Sequence, residues 1–178
     1  VDVPEFPELI LMGRCAAFCA TASVAYDEAT SQWRVSGDPT DAALGVVARK
    51  LGFRREDAEA AHPKLEELPF DYVRKYRALL HRVDDTPVLT VVGAPEAVLS
   101  HATKRWLPGG ERPLTDADRQ TLEADVQRLS AAGLRVLALA VRPAATTAAV
   151  TAVADLTLVG FFGMHDALRP EVASAVRA

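Results

Sequence analysis

The sequence predicts an α+β fold in which helices accompany strands that pair antiparallel. Two strand candidates, Lys75 to Val83 and Pro87 to Val92, flank the short turn Asp84-Asp85-Thr86, and strands joined this closely are expected to pair antiparallel. Leu134 to Val141 is almost continuously apolar, which is typical of a strand buried on both faces. Segments with helical periodicity lie between these strands, so helices and sheet are expected to share one core.

The first helix is predicted within the apolar segment Leu9 to Ala22. Its apolar stripe includes Cys15 and Cys19, which we expect to be core residues because a free cysteine behaves as a small hydrophobe. A metal site would need further ligands nearby, and the histidines are scattered singly along the chain. The sequence therefore predicts no metal site.

The second helix has a clear start signal. Asp38 suits the N-cap position, Pro39 suits the first helical position, and Asp41 follows three residues after the cap, as in a capping box. Leu44 begins an apolar helical face, and Gly52 ends the helix. The capping box explains Asp41 structurally, although an acceptor at a helix start can also bind the amino group of a base.

The remaining elements are predicted from turn residues, caps and apolar runs. In chain order they are a hairpin-like or loop region Tyr26 to Ser36 with a short strand at Trp33 to Val35, a short helix Arg54 to Ala61, a strand Leu65 to Phe70, a short helix Pro95 to Ala102, a loop Lys104 to Pro113, a helix capped by Thr115 and stopped by Gly133, a loop Arg142 to Ala154, a strand Leu156 to Met164 and the start of a helix at Leu168.

Composition is that of an ordinary globular domain and excludes several functions. With 178 residues, 49% of them hydrophobic and 25% charged, the chain can bury one sizeable core, which argues against disorder along most of its length. A net charge of -4 argues against a general binder of nucleic acid or of membrane surfaces, which needs a basic patch. No apolar run approaches the roughly 20 residues that span a bilayer. No direct membrane contact is expected of this segment.

An aromatic residue shortly before a cationic pair is the main local indication of a ligand. Phe70 precedes Lys75 by five residues, so on one straight strand their side chains would point to opposite faces. They can share a site only across a bend, which Asp71 and Tyr72 can form after Pro69 interrupts regular pairing. Aromatic faces stack on bases for about 1 to 3 kcal/mol, and lysine binds phosphate oxygens. The alternative is that Phe70 is a core residue and Lys75 a solvated one.

Two further positions fit an anionic ligand, each with a structural alternative. Arg135 lies in an apolar strand, where a guanidinium must be paired or reach an edge; a carboxylate partner and a ligand phosphate explain it equally well. Gly93 precedes Ala94 and Pro95 at a helix start, where N–H groups favour anions, although such junctions are common. The chain has no Walker loop, GxGxxG turn, HExxH pair or nucleophile elbow, so no catalytic residue is predicted.

Taken in order, several segments resemble the nucleotide-binding domain of cation-transporting P-type ATPases, in the style of the calcium- and magnesium-transporting branch. The resemblance covers nearly the whole chain. Its segments are Gly37 to Leu44, similar to the family's Gly-Asp/Glu-Pro-Thr-Glu-x-Ala-Leu; Leu68 to Lys75, similar to Phe-x-x-x-Arg-Lys; Val92 to Glu96, similar to Lys-Gly-Ala-Pro-Glu; Leu134 to Ala140, similar to Leu-Arg-x-Leu-Ala; and Asp166 to Arg169, similar to Asp-Pro-Pro/Leu-Arg.

The resemblance implies a fold and a set of binding residues. The family fold is a mostly antiparallel, twisted β-sheet flanked by helices, in agreement with the strands predicted above. The residues implied to contact ATP are Phe70 as the adenine platform, Asp41 near the adenine amino group, Lys75 and Arg135 at the phosphates, Leu137 at the base or ribose, and Gly93 and Ala94 as the floor of the pocket.

The chain departs from the family pattern at two positions of the implied site. The lysine that opens the family's Lys-Gly-Ala-Pro-Glu motif is Val92 here, and Tyr72 stands where many relatives carry arginine or another polar residue. A charge-assisted hydrogen bond contributes about 1.5 to 3 kcal/mol, so its loss is expected to weaken nucleotide binding by roughly 10- to 100-fold. The alternative function is a degenerate interaction or regulatory module with little or no ATP binding. A free-standing phosphatase of the haloacid dehalogenase type is disfavoured, because no Asp-x-Asp-x-Thr/Val motif follows a strand.

The resemblance also implies what lies outside the chain. The family's Asp-Lys-Thr-Gly-Thr motif, with the phosphorylated aspartate, and its Gly-Asp-Gly loop do not occur here. The chain is therefore expected to be a cytosolic domain of a plasma-membrane ion pump that presents ATP, with Mg²⁺, without transferring its phosphate. Its expected partners are ATP and the phosphorylation and actuator domains of the same protein. Residues 1–164 are expected to form the nucleotide-binding domain, and residues 165–178, with Asp166 and Arg169, the hinge and the return to the phosphorylation domain.

Overall fold

The computed structural model describes residues 6–165. The helices are α1 (Pro7–Cys19), α2 (Pro39–Lys50), α3 (Arg55–Ala61), α4 (Pro95–Ser100) and α5 (Asp116–Ala131), with a 3-10 helix at Thr147–Val150. The strands are β1 (Ser23–Asp27), β2 (Gln32–Ser36), β3 (Lys64–Asp71), β4 (Tyr76–Val83), β5 (Thr86–Gly93), β6 (Ala102–Leu107), β7 (Gly110–Pro113), β8 (Leu134–Pro143) and β9 (Leu156–His165). The hinge candidates Asp166 and Arg169 and the helix start at Leu168 lie outside the described residues. Within residues 6–165, no helix has the length and apolar character needed to cross a membrane.

Seven strands form one open sheet in the order β3-β4-β5-β8-β9-β6-β7, and β1 pairs with β2 in a separate hairpin. Neighbouring strands are antiparallel except for β6 and β9. The expected antiparallel pair is confirmed as β4 and β5, whose register runs from Tyr76 opposite Gly93 to Val83 opposite Thr86. The predicted α+β class, with a mostly antiparallel sheet flanked by helices, is confirmed.

Each face of the sheet carries its own hydrophobic core. On one face α4, α5 and the 3-10 helix pack on alternate residues of the central strands, including Ala78, Val91 and Ala140. On the other face α1, α2 and α3 pack on the intervening residues, such as Leu79 and Leu139. Side chains alternate with a period of two along a strand, so strands covered on both faces are apolar throughout. The continuous apolar character of β8 follows from this arrangement.

Helix α5 begins as predicted, and α1 buries the predicted cysteines, although it runs from Pro7 to Cys19 and so begins and ends earlier than the segment Leu9 to Ala22. Thr115 caps α5 in a capping box: its hydroxyl accepts a hydrogen bond from the Asp118 N–H at 3.1 Å, and the Asp118 carboxylate accepts one from the Thr115 N–H at 3.0 Å. Cys15 and Cys19 are fully buried in the core beneath α1, as expected. Burial raises the pKa of Cys15 to about 11, so this thiol stays protonated and unreactive.

The interpretation of Lys104 to Pro113 as a loop is wrong. These residues belong to β6 and β7, which form a hairpin at the sheet edge with Leu107 opposite Gly110. Gly109 and Gly110 have φ angles of 95° and 108°, which glycine adopts without steric cost in a tight turn. Because an edge hairpin is half solvated, its strands are polar and lack the apolar pattern that marks a buried strand.

The interpretation of Arg142 to Ala154 as a loop is also incomplete. Strand β8 continues to Pro143, and the 3-10 helix buries Ala149 and Val150 in the core on the α4 side of the sheet. The segment is rich in alanine and threonine and has no clear helical or strand period. Only its packing against the sheet distinguishes it from a surface loop.

Candidate functional site

The residues predicted to form a site meet at one end of the sheet. Antiparallel pairing brings the start of β4, the end of β5 and the first half of β8 to this end, beside the first turn of α2. They enclose a cavity of about 750 Å³, a size typical of small-molecule sites. Its walls include all the residues implied to contact a nucleotide, namely Asp41, Phe70, Lys75, Gly93, Ala94, Arg135 and Leu137. The walls also include Asp38, Thr40, Leu44, Tyr72, Arg77, Val92 and Val136.

The turn between β3 and β4 places Phe70 and Lys75 on the same cavity, as the predicted bend requires. The Asp71 carboxylate accepts hydrogen bonds from the N–H groups two and three residues later, at 2.9 and 2.7 Å. Lys75 closes the turn with a φ of 60°, so β4 begins at Tyr76 rather than at Lys75. The β3–β4 register shifts between Leu68 and Asp71, and this irregularity contains Phe70.

Phe70 is a surface residue on the wall of the cavity. Its side chain is 47% exposed, so the alternative of a core phenylalanine is wrong. Its ring makes an edge-to-face contact with Tyr72 at a centroid distance of 5.3 Å. The cavity rim thus has two exposed aromatic rings from one turn, one of them at the position where the family pattern has a polar residue.

Gly93 is required by the close approach of β5 to the start of β4. A Cβ at this position would lie 2.3 Å from the Lys75 carbonyl oxygen and 2.5 Å from the Tyr76 Cβ. The same carbonyl accepts a hydrogen bond from the Ala94 N–H at 2.9 Å. Gly93 and Ala94 therefore both contact the Lys75 carbonyl and hold the β3–β4 turn against the end of β5. Because the Ala94 N–H is used inside the chain, it is not available to an anion at the start of α4.

Lys75 already has an anionic partner at the cavity rim. Its Nζ donates to Glu96 Oε1 at 3.0 Å, and both side chains are more than half exposed. Hydrogen bonds from the Glu96 backbone N–H and then from Lys75 lower the pKa of the Glu96 carboxyl below its usual value. A phosphate that binds Lys75 has to compete with this carboxylate.

Asp41 does not complete the expected capping box. Asp38 caps α2 as predicted, because its carboxylate accepts hydrogen bonds from the N–H groups of Thr40 and Asp41 at 2.8 and 3.3 Å. The Asp41 carboxylate turns away from the helix start: its Oδ2 accepts hydrogen bonds from Arg77 Nη2, at 2.6 Å, and from the Thr21 hydroxyl. The side chains of Asp41 and Arg77 are each only 12% exposed. Asp41 therefore belongs to a mostly buried ion pair on the cavity wall.

Arg135 lies at the exposed start of β8, where the strand reaches the edge of the core. Its Nη1 donates to the Thr40 hydroxyl oxygen at 3.0 Å. Partial burial pushes the pKa of Asp38 upward, but hydrogen bonds from Thr40 and Asp41 and the charge of Arg135 hold it below its usual value. The guanidinium thus adds positive charge to the cavity beside the first turn of α2.

Two apolar side chains, from β5 and β8, also line the cavity. Val92 is only 4% exposed and belongs to the core under α1, while Leu137 packs partly against the same core. Across the β4–β5 pair, Val92 lies directly opposite Arg77.

Arg77 is the site residue that the sequence analysis missed. It stands in the apolar run of β4, as Arg135 stands in that of β8, so the same signal of a guanidinium within an apolar strand was present. Its Nη1 also donates to the Cys19 carbonyl oxygen at 2.7 Å, which satisfies the end of α1.

The rest of the described chain offers no stronger alternative site. No three His, Cys, Asp or Glu side chains within residues 6–165 gather as metal ligands do. A larger cavity, of about 910 Å³, lies between α1, α2, α3 and β2; ten of its fourteen lining residues are alanine, valine, glycine or proline, and the others are Arg49, Lys50, Arg55 and Glu56. Among the described residues, the walls of this cavity contain no aromatic ring on which a base could stack.

Comparison with known proteins identifies the family. The model of the family described as "P-type ATPase, cytoplasmic domain N" matches residues 8–171. The calcium-transporting ATPase of Bacillus subtilis is 29% identical over 99% of the chain, which is 20% of that protein. The probable cation-transporting ATPase F of Mycobacterium tuberculosis is 35% identical over 83% of the chain and 17% of its own length. The calcium-transporting ATPase 1 of Saccharomyces cerevisiae is 32% identical over 79% of the chain and 15% of its own length.

The fold, the cavity and these matches agree. The chain belongs to the family of cytoplasmic N domains of cation-transporting P-type ATPases. It spans about a fifth or less of the length of the curated relatives it matches. The resemblance inferred from the order of motifs is confirmed.

Proposed function

We propose that this chain is the ATP-binding domain of an ion-translocating P-type ATPase and presents ATP for phosphorylation of an aspartate outside the chain. The observation that supports this best is that all seven residues implied to contact a nucleotide line one cavity. These residues come from four separate segments of the chain, and a ligand bound by all of them accounts for their position around a single cavity.

Each wall of the cavity has a role in this proposal. The exposed ring of Phe70 stacks on adenine, which contributes about 1 to 3 kcal/mol. Asp41 faces the adenine amino group, and Leu137 packs against the base or ribose. Lys75 and Arg135 hold the phosphates by charge-assisted hydrogen bonds. Mg²⁺ binds together with the nucleotide and offsets the charge of its phosphates. Among the described residues, no three possible metal ligands gather to form a separate metal site.

The chain positions the nucleotide and leaves the reaction to another domain. In the parent pump, a plasma-membrane protein, residues 165–178 would form the hinge and lead toward the phosphorylation domain, with Asp166 and Arg169 in the hinge. Domain closure would carry the terminal phosphate to the aspartate, and catalysis would rest on positioning and on charge stabilisation. The phosphorylation and actuator domains are the partners in this cycle.

The test is a titration of the 178-residue chain with MgATP, followed by backbone amide chemical shifts. Shifts should cluster at the cavity, and Phe70→Ala should weaken binding by about tenfold or more, as expected from the loss of base stacking. Arg135→Ala should weaken it as well. The matched controls are Leu65→Ala in β3 and Arg142→Ala at the far end of β8. An unchanged spectrum near Phe70 at millimolar ATP would refute the proposal.

A second candidate function is an interaction or regulatory module that has lost ATP binding. It is favoured by one observation, the valine at position 92 where the family motif has lysine. The two functions differ in their response to Val92→Lys. In an ATP-binding domain the new lysine should tighten the existing ATP interaction, whereas a degenerate module has no interaction to tighten.

A further inference from the structure

A cation stands directly across the sheet from the position where the family lysine is missing. Arg77 on β4 pairs in register with Val92 on β5. Paired residues on neighbouring antiparallel strands have Cβ atoms about 4.5 to 5.5 Å apart and share one face of the sheet. Both side chains line the same cavity. A positive charge lost from β5 is therefore present one strand away, on the same wall.

The Arg77 guanidinium is fixed by hydrogen bonds that leave some of its N–H donors unused. Its hydrogen bonds to the Cys19 carbonyl, the Asp41 carboxylate and the Thr21 hydroxyl use Nη1 and Nη2. A guanidinium has five N–H donors, and Nε has no acceptor among residues 6–165 in this arrangement. A guanidinium fixed by a buried carboxylate and a backbone carbonyl loses little conformational entropy when it binds a ligand.

Asp41 also keeps one oxygen for a ligand. Oδ2 accepts the hydrogen bonds from Arg77 and Thr21, while no donor in the described part of the chain reaches Oδ1. The ion pair thus leaves one acceptor and one donor without a partner among the described residues, on two side chains that line the cavity. Adenine has the complementary pair of groups, since its 6-amino group donates and the ring nitrogens next to it accept.

We propose that Arg77 is a base-recognition residue that supplies, from β4, the donor that Val92 no longer supplies from β5. In this assignment, which rests on the proposed function, Asp41 Oδ1 accepts from the 6-amino group and Arg77 donates to the neighbouring ring nitrogen. Hypoxanthine is the base of ITP. In the same pose it would place its carbonyl oxygen, an acceptor, against the Asp41 carboxylate and its ring N–H, a donor, against the Arg77 N–H. The pair therefore selects ATP over ITP, a nucleotide of the same size with the same phosphates.

The experiment measures ATP and ITP affinities of the wild-type chain and of Arg77 variants by isothermal titration calorimetry. Arg77→Met is expected to weaken ATP binding by roughly 10- to 100-fold, the loss for a hydrogen bond to a charged group, and to reduce the ATP to ITP ratio. Arg77→Met with Val92→Lys should recover most of the lost ATP affinity, because the cation returns from the opposite strand. Arg82→Met, on the same strand but away from the cavity, is the matched control.

A second variant covers the possibility that Arg77→Met leaves Asp41 buried without a partner and the chain unfolds. Arg77→Met with Asp41→Asn removes both charges together. If it folds, as judged by circular dichroism, it should bind ATP and ITP with nearly equal affinity. Arg77→Lys, which keeps the charge, should retain ATP binding with a smaller ATP to ITP ratio.

The outcomes separate this inference from the proposed function. A wild-type chain that binds no ATP overturns both. A wild-type chain that binds ATP, with folded Arg77 variants that bind it equally well, overturns only the role of Arg77. Equal losses for ATP and ITP in the Arg77 variants also overturn the base-recognition role, because a contact to the phosphates or a structural effect does not distinguish the two bases.

Discussion

Acidification should destabilise this domain through one buried histidine, His81. The imidazole is fully buried between β4 and α1, stacked on Phe18 with ring centroids 4.0 Å apart, and neither ring nitrogen has a hydrogen-bond partner among residues 6–165. Burial first, and then the charge of Lys64 opposite it on β3, lower the pKa of His81 from 6.5 to about 4. The folded state therefore holds this ring neutral at every pH near neutrality.

The size of the effect follows from linkage between protonation and folding. The unfolded chain binds a proton at His81 below pH 6.5, whereas the folded chain does so only near pH 4. Stability from this group is thus complete above about pH 6.5 and falls as the pH decreases toward 4. At pH 5 the loss is about 2 kcal/mol, because each pH unit in this window costs roughly 1.36 kcal/mol. Domains of this kind are stable by about 5 to 15 kcal/mol in total, so the loss is measurable.

The assay is urea unfolding at pH 7.5 and pH 5.0 for the wild-type chain and for His81→Phe, which keeps a ring stacked on Phe18. The wild-type chain should lose about 2 kcal/mol more than the variant between these two pH values. His165→Gln, which changes an exposed histidine at the end of β9, should behave as the wild type. If the wild type and His81→Phe lose stability in parallel, the burial argument is refuted.

Two further predictions concern the cavity. Glu96→Gln should tighten MgATP binding by up to about fivefold in calorimetry, because it removes an exposed ion pair worth at most about 1 kcal/mol that competes for Lys75; unchanged or weaker binding would contradict this competition. Gly93→Ala should lower the free energy of urea unfolding by about 1 to 3 kcal/mol, since the added Cβ meets the Lys75 carbonyl. Gly45→Ala in α2, where the Cβ has ordinary contacts, should be neutral or stabilising, and equal losses for the two glycine variants would argue against the steric explanation.

Much of the fold could be predicted from local pattern. Helix starts at Asp38 and Thr115 follow from side-chain capping, which acts within three residues, and the β4–β5 pair follows from two apolar runs with a short turn between them. The β6–β7 hairpin was missed because an edge hairpin is half solvated and carries no apolar period. The 3-10 helix was missed because alanine occurs both in cores and on surfaces, so an alanine-rich sequence does not show that the segment packs against the sheet.

The candidate site likewise has residues that the sequence could identify and contacts that it could not. Phe70 and Lys75 could be identified because an aromatic residue shortly before a cationic pair is a local pattern, and Arg135 because a guanidinium in an apolar strand needs a partner. The order of motifs then assigned them to one family. The sequence could not identify Glu96 as the partner of Lys75. The two residues are 21 positions apart, and their ion pair depends on where β5 ends relative to the β3–β4 turn. The same holds for Arg135 and Thr40, which are 95 positions apart.

The sequence by itself determined the fold class, the family and the residue types of the cavity, because periodicity, caps and motif order are properties of neighbours along the chain. The tertiary structure alone decided how those residues are used. It turned Asp41 from a capping residue into the partner of Arg77, and it placed Arg77 opposite Val92. Register and side-chain pairing across strands arise from long-range packing, so they become visible only when the strands are assembled.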